Sequence, residues 1–169
     1  LFEPLGIKDM TFNPTEEQWD RLICIGNNND KNEFCPLEIG RHTFTDHPLT
    51  FSVSGAGLCG TAKDYNIFME MLLNKGAYNG VRVLKESSVN KINKRICGNW
   101  GLGVDVRDGK SLLPANSYGW SGAYGTHFWV DDENQITALM LKNHRALTDN
   151  FWGESIAEFG KSVMNSFEL

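Results

Sequence analysis

Apolar residues recur at helical spacing in two stretches near the middle of the chain. In the run TAKDYNIFMEMLL, Thr61 and Asp64 have the spacing of a capping box and Gly76 follows as a stop signal. The apolar face of this run is formed by Ala62, Tyr65, Phe68, Met69 and Leu72. The run KESSVNKINKRI, over residues 85–96, has a shorter repeat. Both stretches predict helices, and between them Asn79-Gly80 and VRVL predict a tight turn with a brief extended segment.

Both ends of the chain also carry helix signals. Near the start, Asn13 is a candidate cap for a helix over residues 14–22, with Pro14 in its first position. Near the end, a second apolar face repeats at helical spacing, formed by Trp152, Ile156, Phe159, Val163 and Phe167. The candidate caps of this last helix are Thr148, Asp149 and Asn150. Residues 26–48 are polar and have no period, which predicts a long surface loop of the kind that often borders a functional site.

From Trp100 the apolar period becomes strand-like. WGLGVDV, SYGWSGAYGTHFWV and QITALMLK predict strands, with turns at Asp108-Gly109 and over residues 131–134. Both faces of the last strand are apolar, in the alternating sets Ile136, Ala138, Met140 and Thr137, Leu139, Leu141. Each face of such a sheet needs a cover. The C-terminal helix supplies one, and we expect a missing N-terminal half or a second chain to supply the other.

Together these elements predict an α+β fold. A helical and loop region over residues 1–97 and an antiparallel sheet with its C-terminal helix over residues 98–169 would form one domain. The 169 residues and the hydrophobic content of 41% are ordinary for a folded chain with one core. A formal charge of -5 and a pI near 5.3, without a Lys/Arg cluster, argue against nucleic acid or anionic lipid as a partner. No apolar run approaches the roughly 20 residues that span a bilayer, so no membrane insertion is expected.

Neither a metal nor a cofactor site is expected. The cysteines lie far apart without a C-x-x-C pair, which disfavours zinc and a dense disulfide framework and leaves a single disulfide open; they are Cys24, Cys35, Cys59 and Cys97. Asp131, Asp132 and Glu133 lack the spacing of an EF-hand, so a solvated turn is the better interpretation. The histidines form no ligand pattern and are interpreted as surface or packing residues: His42, His47, His127 and His144.

The stretch SGAGLCGTAKDY has the G-x-G-x-x-G spacing of a dinucleotide-binding loop, at Gly55, Gly57 and Gly60. A dinucleotide loop also needs a buried parallel strand before it and an acidic residue about 20 residues further on. Here the preceding TFSVS is short and mixed, and Glu86 comes too late. We therefore interpret the glycines as a tight turn into a helix and expect no nucleotide.

Four blocks in linear order carry a family resemblance: PLGIKDMTF, SGAGLCGTAKDYNIFMEMLLNKGAYNGVRVL, WGLGVDV and YGWSGAYGTHFWVDDENQ. They resemble the C-terminal half of the serine β-lactamase-like family, which includes class C β-lactamases, D-Ala-D-Ala carboxypeptidases and related esterases. The resemblance covers nearly the whole chain apart from the Asn-rich loop. It implies acyl-enzyme chemistry on a small ester, amide or β-lactam, without a cofactor. It also implies a location outside the cytoplasm or in the cell envelope, with a cytoplasmic location left open.

The resemblance implies that the nucleophile lies upstream of this chain. In the family a serine attacks a carbonyl, a lysine one helical turn later aids its deprotonation, and a Tyr-x-Asn tyrosine assists proton transfer. Both elements precede the PLG segment. The literal S-x-x-K from Ser88 to Lys91 lies in a lysine-rich helix, whereas a catalytic lysine has to be desolvated. We expect this chain alone to be inactive; the alternative is an inactive binding or structural module of the same fold.

By resemblance, Trp120-Ser121-Gly122 takes the place of the family's Lys-Thr-Gly or His-x-Gly and binds substrate, and the backbone N–H of Ala123 is an oxyanion donor. Small residues here let a carbonyl oxygen approach a backbone amide to about 3 Å. The alternative explanation is an edge strand with glycine-relieved packing. Trp120 replaces a cation that would pair with a substrate carboxylate, which favours a neutral ester or amide. Other possible sources of positive charge are Lys142, His144 and Arg145.

Overall fold

A computed structural model describes residues 1–31, 33–37, 55–110, 113–144 and 149–168 of the chain. Its elements are α1 Phe2–Leu5, α2 Glu16–Asp20, β1 Gly26–Asn28, β2 Phe34–Pro36, α3 Ala62–Leu73, β3 Ala77–Tyr78, β4 Val81–Arg82, α4 Glu86–Ile92, β5 Asp105–Val106, β6 Tyr118–Ser121, β7 His127–Asp131, β8 Ile136–Met140 and α5 Asp149–Ser166. Within these ranges, no helix has the length and apolar character that crossing a bilayer requires.

The centre of the fold is a four-stranded antiparallel sheet in the order β5-β6-β7-β8. Strands that follow one another in sequence are neighbours in the sheet, which is the simplest way to connect antiparallel strands. All five residues of β7 are buried, because this strand is internal to the sheet and covered on both faces. Helices together with an antiparallel sheet make the fold α+β, which confirms the predicted fold class.

Each face of the sheet packs against a helix of this chain. On one face the ring of Trp129 meets Phe159 of α5 edge-on, with centroids 5.3 Å apart. On the other face Phe128 meets Tyr65 of α3 at the same centroid distance. The expectation that the second cover lies outside the chain is therefore corrected, since α3 provides it. The periodicity identified the apolar face of α3, but a period does not say which surface that face will contact.

The predicted loop over residues 26–48 contains regular structure. β1 and β2 form an antiparallel hairpin in which Asn28 pairs with Phe34. The N–H of Gly26 donates to the carbonyl of Asn143 at 2.9 Å, which fastens this hairpin beside the end of β8. The prediction of a structureless loop is therefore wrong for the first part of this segment; the remainder lies outside the described residues.

The stretch SYGWSGAYGTHFWV, predicted as one strand-like segment, is two strands joined by a tight turn. β6 ends at Ser121 and β7 begins at His127. Between them the N–H of Gly122 donates to the carbonyl of Thr126 at 2.9 Å, and Gly125 has a φ of +82°. Glycine adopts that left-handed conformation without a steric penalty, which lets the chain reverse here.

The first predicted helix starts later than its sequence signals indicated. The cap is Thr15 and not Asn13. Its hydroxyl accepts the N–H of Gln18 at 3.3 Å, while the Gln18 side chain accepts the N–H of Thr15 at 2.9 Å. This reciprocal capping box satisfies two N–H groups at once, so α2 begins at Glu16 and not at Pro14.

The start of α3 ties the N-terminal segment to the core. Thr61 caps the helix as predicted, accepting the N–H of Asp64 at 3.2 Å. The Asp64 carboxylate does not complete the predicted box; instead its Oδ2 accepts the N–H groups of Lys8 and Asp9, at 2.9 and 2.6 Å. Because Asp64 is buried, this contact fixes the segment that carries Met10 over the N-terminal end of α3.

The remaining predicted helices and the short hairpin are present. The Asn79-Gly80 turn joins β3 to β4, and both residues have positive φ, at +46° and +79°, as a two-residue hairpin turn requires. Gly76 follows α3 with a φ of +93°, and α4 and α5 occupy the stretches that the apolar spacing indicated. Periodicity was therefore a sound guide wherever an element spans several turns or ends at a strong turn signal.

Candidate functional site

Trp120, Ser121 and Gly122 lie where β6 turns towards β7, beside a cavity of about 370 Å³. Three parts of the chain form the walls: the segment before α2, the glycine turn together with the first residues of α3, and the ends of β6, β7 and β8. The lining residues are Met10, Phe12, Gly55, Ala56, Leu58, Cys59, Gly60, Thr61, Tyr65, Trp120, Ser121, Gly122, Thr126, His127, Phe128, Leu139 and Leu141. The predicted substrate strand therefore borders a space that a small ligand can enter.

The cavity is mainly apolar. Among the described lining residues there is no carboxylate, ammonium or guanidinium group. Burial raises the pKa of Tyr65 to about 12 and also raises the pKa of the Cys59 thiol, so both groups are neutral at pH 7. An unpaired charge transferred into such a lining would lose its hydration without compensation, so the cavity favours the uncharged part of a ligand.

Trp120 forms an aromatic rim with Trp100. Their ring centroids lie 4.9 Å apart with an interplanar angle of 49°. The two side chains stay 43% and 54% exposed, which is unusual for indoles that contact each other. Trp120 is thus an accessible apolar surface with one N–H donor at the mouth of the cavity, where a lysine would present a charge.

The turn after Ser121 leaves one backbone N–H unused. Gly122 donates to Thr126 and accepts the N–H of Gly125 at 3.0 Å, whereas no hydrogen bond to a described residue uses the N–H of Ala123. Ala123 is exposed. A Cβ added to Gly122 would lie 2.3 Å from Oγ1 of Thr126, so glycine keeps this turn narrow. The arrangement leaves the Ala123 amide able to donate to a ligand oxygen.

Ser121 has a partner that the sequence did not reveal. Its Oγ lies 2.8 Å from Nδ1 of His127, its cross-strand neighbour in the β6-β7 register. His127 is 1% exposed, and burial, together with the charge of Arg107, lowers its pKa to about 4. The imidazole is therefore neutral at pH 7. In the sequence, this pair is a serine and a histidine on either side of the glycines of one turn. Their contact can be predicted only if the turn itself has been recognised.

The glycine stretch is a wall of the cavity. Gly55 and Gly60 line it directly, and a Cβ on Gly60 would lie 2.9 Å from Cγ of Met10. The backbones of Cys59 and Thr11 exchange two hydrogen bonds of 2.9 Å, which hold the turn against the N-terminal segment. Here glycine permits close packing of backbone on side chain, in agreement with the interpretation as a tight turn before a helix.

Other candidate residues lie away from the cavity. Ser88 and Lys91 are both exposed on α4, as expected for a solvated helix. Asp131 is buried and caps the β7-β8 turn, where its Oδ1 accepts the N–H groups of Glu133 and Asn134, each at 3.0 Å. Asp132 forms an ion pair with Lys75 and accepts a hydrogen bond from Asn93 at 2.8 Å. These carboxylates stabilise a turn, and the described residues contain no metal-binding cluster.

Lys142 and His144, which follow β8, are not among the residues that line the cavity. Lys142 lies beside the β6-β7 turn, since a Cβ on Gly125 would be 2.8 Å from its Cε. His144 Nε2 is 3.1 Å from the side-chain oxygen of Asn28. Arg145, His42 and His47 fall outside the described residues. All four cysteines are free thiols.

A strand that ends in small residues, an unused backbone N–H and an apolar cavity are features that acyl-transfer sites share. Comparison with known proteins agrees with this class. Residues 1–158 match the model of the Beta-lactamase family, and the chain therefore belongs to the β-lactamase-like serine hydrolase family.

The curated relatives are longer proteins. Over 165 residues the chain is 27% identical to a Salmonella paratyphi B protein provisionally named D-alanyl-D-alanine carboxypeptidase. The alignment covers 85% of this chain and 38% of that protein. The Salmonella newport counterpart matches to the same extent. The chain thus spans about two-fifths (38%) of the length of these relatives.

Solved structures share the fold at low sequence identity. The unliganded simvastatin synthase of Aspergillus terreus superimposes with a TM-score of 0.78 at 14% identity, over 98% of this chain and 48% of that chain. A penicillin-binding protein homologue of Caulobacter crescentus superimposes with a TM-score of 0.60 at 18% identity, over 86% of this chain and 45% of that chain. The fold is therefore the β-lactamase and transpeptidase-like α+β fold.

Proposed function

We propose that this chain is the C-terminal, substrate-binding part of a serine hydrolase that works through an acyl-enzyme. The observation that carries the proposal is the apolar cavity of about 370 Å³ beside Trp120, Ser121 and Gly122, with the unused N–H of Ala123 one residue further along the chain. The nucleophilic serine and its lysine lie on polypeptide upstream of Leu1. Ser88 and Lys91 are exposed on α4 and do not line the cavity, which supports this assignment.

In the proposed reaction, the serine oxygen attacks the carbonyl carbon of the substrate and loses its proton to the base. The carbonyl oxygen becomes an oxyanion, which the N–H of Ala123 stabilises. Collapse of this intermediate expels the alcohol or amine and leaves the acyl group on the serine, and water then releases it. A single donor of this kind typically contributes about 3 kcal/mol to the stability of the transition state.

The proposed substrate is an uncharged ester or amide. The described lining has no cation to pair with a carboxylate, and Trp120 presents an indole at the mouth. The Salmonella relative is named for a peptidase whose substrate ends in a carboxylate, whereas the Aspergillus structure is titled as a synthase of simvastatin. Because the described lining carries no charge, the cavity of this chain favours an uncharged ester or amide over a substrate that ends in a carboxylate.

Labelling with a fluorophosphonate tests whether the nucleophile lies upstream. The intact protein that carries this chain is expected to react at a serine outside residues 1–169, identified by peptide mass spectrometry, while the isolated chain stays unlabelled. Covalent modification of Ser88 or Ser121 would contradict the proposal. An intact protein that binds neutral esters but is never labelled would favour the alternative, an inactive binding module of the same fold.

Turnover of two chromogenic substrates by the intact protein tests the substrate class. We expect kcat/KM for a nitrophenyl ester of a short fatty acid to exceed that for a carboxylate-bearing cephalosporin by about 100-fold or more, because the carboxylate finds no partner in the cavity. A cephalosporin turned over equally well would show that a cation outside the described residues serves the site.

A further inference from the structure

Tyr65 lines the cavity, and the reaction just described gives its side chain no role. It lies in the first part of α3, directly after the Asp64 that ties this helix to the N-terminal segment. Its ring meets Phe128 edge-on with centroids 5.3 Å apart, and it meets Phe68 in the same manner at 5.8 Å. These contacts fix the ring on the sheet face that forms the cavity.

The cavity extends from an exposed mouth to the hydrophobic core. Trp120 at the mouth is 43% exposed, whereas its cross-strand neighbour Phe128 is 8% exposed. Phe128 in turn lies beside Leu139 of β8, and both Leu139 and Tyr65 pack against the core cluster to which Phe128 belongs. Tyr65 is therefore part of the deeper lining, where the surroundings are apolar.

The hydroxyl of Tyr65 is an unused donor. It makes no hydrogen bond to any residue that the structure describes. It is also accessible, in contrast to the hydroxyl of Tyr118, which is buried without a partner. Burial of the ring raises the pKa of Tyr65 to about 12, so the phenol keeps its proton at pH 7 and can donate it in a hydrogen bond.

An all-carbon chain in this cavity would displace water from the Tyr65 hydroxyl and supply no acceptor in its place. A buried donor that is left unpaired is costly, and a site with such a donor rejects the analogue that lacks the matching oxygen. A chain with an ether or carbonyl oxygen beside Tyr65 would form the hydrogen bond and avoid this cost. The hydroxyl thus makes the cavity sensitive to one oxygen within an otherwise apolar ligand.

We propose that Tyr65 is a specificity-determining residue, whose hydroxyl donates a hydrogen bond to an oxygen within the acyl chain of the ligand. The cavity then selects acyl groups with an internal oxygen over all-carbon chains of the same length. The proposed partner of the scissile carbonyl is the N–H of Ala123, so the two donors contact different parts of the ligand. That the ligand is an acyl donor rests on the proposed function, whereas the accessible phenol in an apolar lining does not.

Kinetics of the intact protein with a matched set of neutral nitrophenyl esters test this selection. The set is the hexanoate and its isosteres in which oxygen replaces one internal methylene of the chain, each position in turn. For at least one isostere, the ratio of its kcat/KM to that of the hexanoate is expected to be about fivefold to tenfold higher in the parent than in Tyr65→Phe. Comparing ratios between proteins cancels the intrinsic reactivity of each ester. Tyr78→Phe removes a phenol that does not line the cavity, so this control should keep the parent ratios.

A packing role for Tyr65 predicts a different result. In that case Tyr65→Phe, which keeps the ring, would leave every ratio unchanged or would lower kcat/KM by the same factor for all the esters. Either outcome would overturn the proposal, because neither changes the selection between chains with and without an oxygen.

Binding of unreactive amides separates this proposal from the proposed function. An intact protein that turns over none of the esters would contradict the proposed function, and the affinities of hexanamide and its oxygen-bearing isosteres are then measured by calorimetry. A preference for one isostere that is present in the parent and in Tyr78→Phe, but lost in Tyr65→Phe, would support the role of Tyr65. The same order of affinities in all three proteins, or no binding of any amide, would overturn it.

Discussion

At the scale of single residues, burial decides which groups can act. His127 is a neutral hydrogen-bonding group at pH 7, because burial and the nearby charge of Arg107 both lower its pKa. Arg107 itself is held by Asp105 at 2.9 Å, so its charge stays beside the sheet. The same residue type on the surface would titrate near neutrality. Its position in β7, and not its residue type, therefore keeps the His127 side chain neutral at pH 7.

The low pKa of His127 predicts a pH dependence of stability. The unfolded chain binds this proton at its ordinary pKa near 6.5, whereas the folded chain binds it only at about 4. Between these values the unfolded state carries more protons, so the free energy of unfolding falls as the pH drops from 6.5 to 4. The loss should reach roughly 3 kcal/mol below the folded-state pKa.

Urea unfolding of the parent protein and of His127→Gln at a series of pH values would measure this effect. The variant should lose most of the dependence between pH 6.5 and 4, and His144→Gln should keep it. Equal slopes in all three proteins would mean that His127 titrates in the folded state much as it does in the unfolded one.

At the scale of elements, the junction between α3 and the N-terminal segment builds one side of the cavity. Asp64 accepts two backbone N–H groups, from Lys8 and Asp9, and its own N–H is capped by Thr61. Met10 follows directly and lines the cavity next to Gly60. The buried carboxylate of Asp64 therefore holds the N-terminal segment against the start of α3, and with it one wall of the cavity.

Asp64→Ala is expected to lower the free energy of unfolding by about 2–3 kcal/mol, because it leaves two N–H groups without their acceptor in a partly buried site. Asp64→Asn keeps one acceptor oxygen and should cost less, and the exposed Asp30→Ala should cost under about 0.5 kcal/mol. Chemical denaturation provides the values. If Asp64→Ala were as stable as the parent, the N-terminal segment would not depend on this contact.

At the scale of the whole molecule, the sequence predicted individual helices and strands much better than it predicted the contacts between them. Helix caps with long apolar repeats indicated α3 and α5, and a shorter repeat indicated α4. The family resemblance pointed to residues 120–123, at the end of β6 and the start of the following turn. The cover of the second sheet face, the β1-β2 hairpin and the partner of Ser121 could not be predicted, because each depends on which surfaces meet after the chain folds. The β6-β7 turn was missed since SGAYGT is bordered by apolar residues on both sides and reads as one extended run.

The division of the chain at residue 97 stays a prediction. α3 packs directly against the sheet through Tyr65 and Phe128, so the helical region and the sheet share one core. That shared core places the cavity at the boundary between the two regions, where a small-molecule site is commonly found.

A crystal structure of the intact protein after reaction with a fluorophosphonate tests the central claim most directly. We predict that the phosphorus is bonded to a serine outside this chain, that a phosphoryl oxygen lies about 3 Å from the backbone nitrogen of Ala123, and that the alkyl group lies in the cavity beside Trp120. An adduct on Ser88 or Ser121, or a phosphoryl oxygen directed away from Ala123, would contradict it.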